Sequence, residues 1–329
     1  MKAVIDILTP KQARFFSILG KRLKERGIDV SYTTRRYYES DRVLKLFGIR
    51  ATTIGRFGET LYEKVLFSSQ RLGLYVKLLA NMRPDFVISV GSPEAARAAF
   101  GLGIPHFMVS DSPHAEAVAK LSVPLSKKLF TPWIIPKSAW SRYGIPEEDV
   151  IQYRAMDQAA WIRAYVKRRK LGQRPASPIL VYRPEEFKAA HAFVGKPVSL
   201  ELMSKLLSSV EERYQIKPKV IVLGRYGNPR VFKEELGDGV SLSRVAIDGA
   251  QLLTIASLFI GGGGGTMTGE AALLGVPALS ISQFENRIEN FLIKKGLVFK
   301  SKSFNENLEF AHLALTFDRR LTTKLERKS

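Results

Sequence analysis

Five consecutive glycines, Gly261 to Gly265, stand between the apolar run Leu258-Phe259-Ile260 and the stretch Thr266 to Leu274, with Glu270 inside that stretch. The apolar run reads as a buried strand and the stretch after the glycines as a helix ended by Gly275 and Pro277. Ala278 to Ile281 reads as the next strand. A glycine turn between strand and helix lets backbone N–H groups approach a phosphate, and the helix N-terminus adds partial positive charge. Glu270 is expected in the first helical turn. A carboxylate there suits the two hydroxyls of a ribose better than a phosphate. The plainer alternative is that the glycines only allow tight strand–helix packing. Neither the Walker pattern nor G-x-G-x-x-G with its distant acid is present in standard form.

Other residues at strand ends could take part. Lys11, after the first strand, can donate to a phosphate; an exposed lysine at a helix start is the alternative. Arg183 follows a strand directly, and a guanidinium there pairs bidentately with a diphosphate; a salt bridge to Glu185 or Glu186 is the alternative. Asp111 and His114 lie together after another strand and form a candidate general-base pair. Against that, Asp111 could cap a helix with Pro113 in its first turn, leaving His114 merely exposed. Glu94, after Gly91-Ser92-Pro93, is a second base candidate, or a favourable charge in a first helical turn. Asp248 reads as the cap of a helix from Gln251.

The elements that must position these residues alternate. Strands are expected at Ala3 to Leu8, Asp29 to Thr34, Ala51 to Ile54, Phe86 to Val90, His106 to Val109 and Trp133 to Pro136. Helices are expected from Thr9 to Glu25, near Ser40 to Phe47, and over Leu61 to Met82. The pattern restarts with strands at Ile179 to Tyr182 and Lys219 to Leu223 and a helix over Leu200 to Tyr214. Such alternation argues for parallel doubly wound sheets. The expected division is a Rossmann-like domain over 1–150, a linker with an exposed helix over 151–177, and a second Rossmann-like domain over 178–329. The last helices are expected to return to the first domain. The two domains would face each other across a cleft.

The 329 residues, 45% hydrophobic, suffice for two cores. The absence of cysteine excludes disulfides, thiol catalysis and zinc–thiolate sites. Four histidines, widely spaced, argue against a metal site. No apolar stretch approaches the ~18 residues of a membrane span. The first apolar run reads as a strand rather than a secretion signal, so a cytoplasmic location is expected. A formal charge of +20 calls for an anionic partner: a phosphorylated substrate, an anionic membrane surface or RNA.

Two α/β halves with a glycine turn and a late Glu resemble the GT-B fold. Glu270 stands five residues before Gly275, with Pro277 two further on. This resembles the peptidoglycan N-acetylglucosaminyltransferase and the non-hydrolysing UDP-N-acetylglucosamine 2-epimerase. In those families the Glu holds the uridine ribose and the preceding loop the diphosphate. The resemblance therefore implies a ribose role for Glu270 and a diphosphate role for Gly264, Gly265 and Thr266. Across nearly its full length, through ILTPKQARFF, VGSPEAARAAFGLGIPH, SDSPHAEA, YRPEEFKA and GGGGTMTGEAALLGVPA, the chain resembles an uncharacterised, mainly archaeal GT-B-like family. The first loop lacks the glycine and His of the transferase, and Arg183-Pro184-Glu185-Glu186 stands where the epimerase has His-Arg-Arg-Glu-Asn. The expected function is glycosyl transfer from a nucleotide-activated sugar, UDP-linked, with that sugar as substrate and no other cofactor or metal. Asp111, His114 and Glu94 are the catalytic candidates, and the acceptor is left open between a lipid-linked one at an anionic membrane surface and RNA. The alternatives are a UDP-sugar 2-epimerase and a non-catalytic nucleic-acid-binding or polyanion-binding protein.

Overall fold

The computed structural model describes residues 1–37, 40–168, 177–184, 198–224, 229–237, 239–243, 247–262, 265–283 and 286–316. The chain divides into two units, Met1–Trp161 and Ile162–Ser329.

The first unit is built on seven strands: β1 (Lys2–Ile7), β2 (Asp29–Arg36), β3 (Ala51–Arg56), β4 (Phe86–Ser89), β5 (His106–Val109), β6 (Lys128–Pro132) and β7 (Val150–Tyr153). They form one sheet in the order β3-β2-β1-β4-β5-β6-β7, every neighbouring pair parallel. The order reverses between β1 and β4, and loops that leave the carboxyl ends of those two strands diverge there. Val4, Ile5 and Val87 are buried within the sheet, as strands covered by helices on both faces require. The helix Pro10–Lys24 starts where Thr9 caps it, its Oγ1 accepting from Gln12 N, with Pro10 in the first turn. The helix Leu61–Met82 opens with a capping box of Thr60 and Glu63. Its inner face packs Tyr75 and Leu79 against Val4, Ile54 and the alanines Ala95, Ala98 and Ala99.

That helix also carries Arg71, which is fully buried. Its Nη2 lies 2.6 Å from Asp6 Oδ1 on β1 and its Nη1 lies 3.1 Å from Glu94 Oε2. Its Nε donates to Ile54 O on β3 at 3.0 Å. Asp6 Oδ1 also accepts from Thr33 Oγ1 on β2. One guanidinium thus holds two carboxylates out of water and joins β1, β3 and the helix Pro93–Gly101.

Among the described residues the second unit has five strands: β8 (Ile179–Arg183), β9 (Lys219–Leu223), β10 (Val240–Ser243), β11 (Leu258–Gly261) and β12 (Ala278–Ser280). Their order is β10-β9-β8-β11-β12, again all parallel, so the reversal falls between β8 and β11. Leu206, Val222, Leu258 and Ile260 form its core with Phe310, Ala311 and Leu315. Those last three belong to the helix Phe304–Leu315, so this late helix helps to close the second unit's core.

Two expectations are corrected. Trp133 to Pro136 is a turn, with Ile135 N bonded to Pro132 O; the strand is the preceding Lys128–Pro132, which aligns Thr131 to accept from the buried Trp140 indole. The segment expected as a linker from residue 151 contains β7, because Val150 is buried against β6. Among the described residues no helix is long and apolar enough to cross a membrane.

Removing the guanidinium while leaving both carboxylates buried should be severe. Arg71→Ala is expected to lower stability by about 3–5 kcal/mol, read by thermal and denaturant unfolding. A loss below about 1 kcal/mol would mean that Asp6 and Glu94 are accommodated without it.

Candidate functional site

Lys11, Asp111, Arg183 and Glu270 lie on elements at or next to the two reversal points. In the first unit, Lys11 lies in the first turn after β1 and Asp111 lies two residues beyond β5. Gln12 fixes the loop between β1 and its helix: its Oε1 accepts from Leu8 N at 2.6 Å and its Nε2 donates to Val90 O beyond β4 at 3.2 Å. Lys11 Nζ then sits 2.5 Å from Asp111 Oδ2 and 2.7 Å from Asp157 Oδ2. Ser112 Oγ donates to the other Asp111 oxygen, and the Tyr153 hydroxyl donates to Asp157 Oδ1. Lys11 therefore bridges two carboxylates, with a phenol beside the second.

Burial and neighbouring charge pull these groups in different directions. Burial opposes the Lys11 charge, but Asp111 and Asp157 outweigh it and hold its pKa above the ordinary lysine value. Burial also opposes ionisation of Asp111, yet Lys11 and Ser112 keep its pKa below the usual carboxylate range. Asp157 goes the other way: burial and the nearby Asp111 charge raise it despite Lys11 and Tyr153. Burial and Asp157 raise Tyr153 as well. The cluster holds one ionised carboxylate beside another that keeps a proton more readily, the split that acid–base pairs need.

The structure pairs Asp111 with Lys11 in the way expected for Asp111 and His114. His114 is exposed in the turn leading to the helix Glu116–Ser122, whose cap is Ala115. Asp111 therefore does not cap that helix. Glu94 is 5% exposed, with Oε1 accepting from Ser68 and Oε2 held by Arg71. It serves the buried charge network. Asp157 and Tyr153 were not singled out from the sequence. Their i, i+4 spacing was the one local signal, masked by the basic stretch that follows.

In the second unit, Arg183 ends β8 and is paired in register with Gly261 at the end of β11. Gly262 N donates to Arg183 O at 2.8 Å, which ties the glycine turn to β8. Gly263 and Gly264 lie outside the described residues. The helix runs from Gly265 to Leu273, so Gly265 and Thr266 form its first turn, whose N–H groups have no intrahelical acceptor. Glu270 falls in the second turn rather than the first, because Gly265 is itself helical. It is 2% exposed. A side chain at Gly249 would come within 3.2 Å of Glu270 Oε2 and 3.3 Å of Met267 Cε, so the glycine leaves room for both. Arg183 Nη1 reaches the same methionine, 3.8 Å from its sulfur. Asp248 caps the helix Gly249–Leu253 and accepts from the Tyr165 hydroxyl. A helix N-terminus, a guanidinium and a buried carboxylate thus converge where the strand order reverses, the location at which open α/β sheets bind nucleotides.

The family model described as "Protein of unknown function (DUF354)" matches residues 1–328. An uncharacterised protein of Methanocaldococcus jannaschii is 25% identical over 319 residues, covering 93% of this chain and 89% of that one. The UDP-GlcNAc 2-epimerase of Neisseria meningitidis, solved bound to UDP-GlcNAc, matches with a TM-score of 0.73 at 18% identity, over 99% of this chain and 94% of the other. Spinosyn forosaminyltransferase matches with a TM-score of 0.64 at 15% identity, over all of this chain and 93% of the other. The fold is the two-domain, Rossmann-type GT-B architecture of such proteins.

Lys11→Met should leave two carboxylates facing each other without a cation. The folded state then holds a proton that the unfolded state releases, so the variant gains stability as pH falls. Urea unfolding should show it about 1–3 kcal/mol less stable than the parent at pH 7.5, the gap narrowing towards pH 5. A gap constant over that range would show that the two carboxylates do not compete.

Proposed function

The chain belongs to the DUF354 family, and we propose that it is a glycosyltransferase that uses a nucleotide-activated sugar, UDP-linked. The observation that carries the reading is the buried Glu270 on the helix that follows the glycine turn, with Arg183 at the end of β8 reaching Met267 of that same helix. Glu270 accepts from the ribose hydroxyls. Gly265 and Thr266, together with Gly264, offer backbone N–H groups to the diphosphate, and Arg183 offsets the charge that builds on the leaving group. Asp111, kept ionised by Lys11, takes the proton of the attacking acceptor hydroxyl. His114, exposed nearby in sequence, meets the acceptor. The nucleotide sugar is the substrate, and this chemistry calls for no separate cofactor.

One observation favours a second reading, a UDP-sugar 2-epimerase. Removing and returning a proton at one carbon needs a base and an acid, and Lys11 gathers two carboxylates, Asp111 and Asp157, whose surroundings favour opposite protonation states.

Glu270→Ala removes two charge-assisted hydrogen bonds, each worth roughly 1.5–3 kcal/mol, so calorimetry should show UDP affinity at least tenfold weaker. No UDP binding by the wild type, or equal binding by both proteins, would sink the nucleotide reading. Asp111→Asn should lower turnover by roughly 10²–10⁴ with UDP binding unchanged. The two reactions separate in heavy water with UDP-N-acetylglucosamine and no acceptor. Deuterium at C2 identifies the epimerase; UDP release only when lipid-phosphate, sugar or RNA acceptors are added identifies the transferase.

A further inference from the structure

The carboxyl edge of the first unit's sheet also carries a group of cations outside the Lys11 cluster. Arg35 and Arg56 lie at the ends of β2 and β3, and Lys64 lies in the first turn of the helix that follows. Among the described residues none of the three is in an ion pair; each lies over an aromatic ring. The Arg35 guanidinium is 4.9 Å and the Lys64 ammonium 5.8 Å from the centre of the Phe57 ring. Arg56 lies 3.9 Å over Phe67, and Tyr37 meets Phe57 edge-on. Among the described residues Arg35 Nε is buried without a hydrogen-bond partner. Burial lowers the Arg35 pKa and the Arg71 charge adds to that, while Glu94 and Asp6, which oppose it, are already held by Arg71. Glu63 is occupied in the capping box, and Glu59 is the other acid of this turn. Burying a guanidinium with a donor unmet is costly unless an anion completes it.

An apolar strip adjoins these cations. Leu61, Tyr62 and Val65 are 80%, 75% and 69% exposed on the helix that bears Lys64. Gly58 holds the strand end against this helix: a side chain there would come within 2.4 Å of Lys64 N. Cations beside exposed leucine, tyrosine and valine match a ligand with a charged head and a hydrocarbon tail. The chain's charge of +20 disfavours a second copy as the occupant and favours an anion.

We propose that Arg35, Arg56 and Lys64 bind the phosphate of a lipid-borne acceptor, whose chain lies on Leu61, Tyr62 and Val65. The role as acceptor rests on the glycosyl-transfer reading; the binding does not, and is tested without turnover. Calorimetry with the full-length protein compares dodecyl phosphate below its micelle concentration, glucose 1-phosphate, and dodecyl maltoside as the neutral carrier. Dodecyl phosphate should bind more tightly than either control. Arg35→Gln and the exposed Arg56→Gln should each weaken it about tenfold. Val65→Asp should abolish its advantage over glucose 1-phosphate. UDP titration of the same proteins serves as the folding control and should be unchanged. UDP binding absent from a wild type that binds dodecyl phosphate would overturn the nucleotide reading and leave this site standing. Equal binding by both arginine variants, or equal binding of dodecyl maltoside, would overturn the phosphate site. Glucose 1-phosphate binding as tightly as dodecyl phosphate would overturn the lipid assignment. So would a dimer in ultracentrifugation that Val65→Asp dissociates without affecting phosphate binding.

Discussion

A single buried cation sets the terms for the first unit. Arg71 cannot be removed from water unless Asp6 and Glu94 meet it, and they can meet it only if β1 and the helix Pro93–Gly101 are already in place. Its bond to Ile54 O adds β3 to the same condition. Tyr75, one turn along, shares Thr33 with Asp6, so the polar centre is framed by hydroxyls. Ion pairs of this kind contribute little net stability but penalise every arrangement that breaks them. The positions of the strand ends inherit that specificity, and with them the positions of Lys11 and Arg35.

The two units solve the same problem with different residues. Each is a parallel sheet whose order reverses once, so each has one place where loops diverge and leave room for a ligand. In the second unit a glycine turn, an arginine and a buried glutamate occupy that place. In the first unit it holds a lysine between two aspartates, one held ionised and the other pushed towards its neutral form. Residue type thus differs between the two places, a glycine turn with arginine and glutamate in one and a lysine between carboxylates in the other.

Much of this was legible in the sequence. The runs at Phe86 and His106 read as buried strands because they are mainly apolar, and the helix Leu61–Met82 shows in its amphipathic periodicity. Asp248 reads as a cap because its side chain can reach Gln251 N, as it does. The misses have physical causes. β6 and β7 carry lysine and glutamine among few apolar residues, since they lie towards the sheet's edge, and Pro132 and Pro136 obscure where one ends. Arg71 looks like the polar side of an amphipathic helix, because nothing local shows that its partners lie 65 and 23 residues away. Asp157 is 146 residues from Lys11 (157 − 11), and only the folded sheet brings them together. The strand and helix that carry Glu270 were readable because the apolar run, the glycines and the Gly275–Pro277 stop are all local in sequence.

The parallel pairing carries a kinetic cost. The central strand β1 finds one partner in β2, but its other, β4, begins more than 80 residues later, with Ala3 opposite Phe86. β8 waits a comparable distance for β11, Leu180 opposite Leu258. On the ribosome, Val4 and Ile5 therefore emerge well before the second flank that buries them has been translated, and closing such long loops is slow. The first unit is contiguous in sequence, ending at Trp161, so it can finish folding while the second is still being made. Synthesis order then limits how long two sets of unpaired apolar strands coexist, which restrains misassembly between sheets of such similar design.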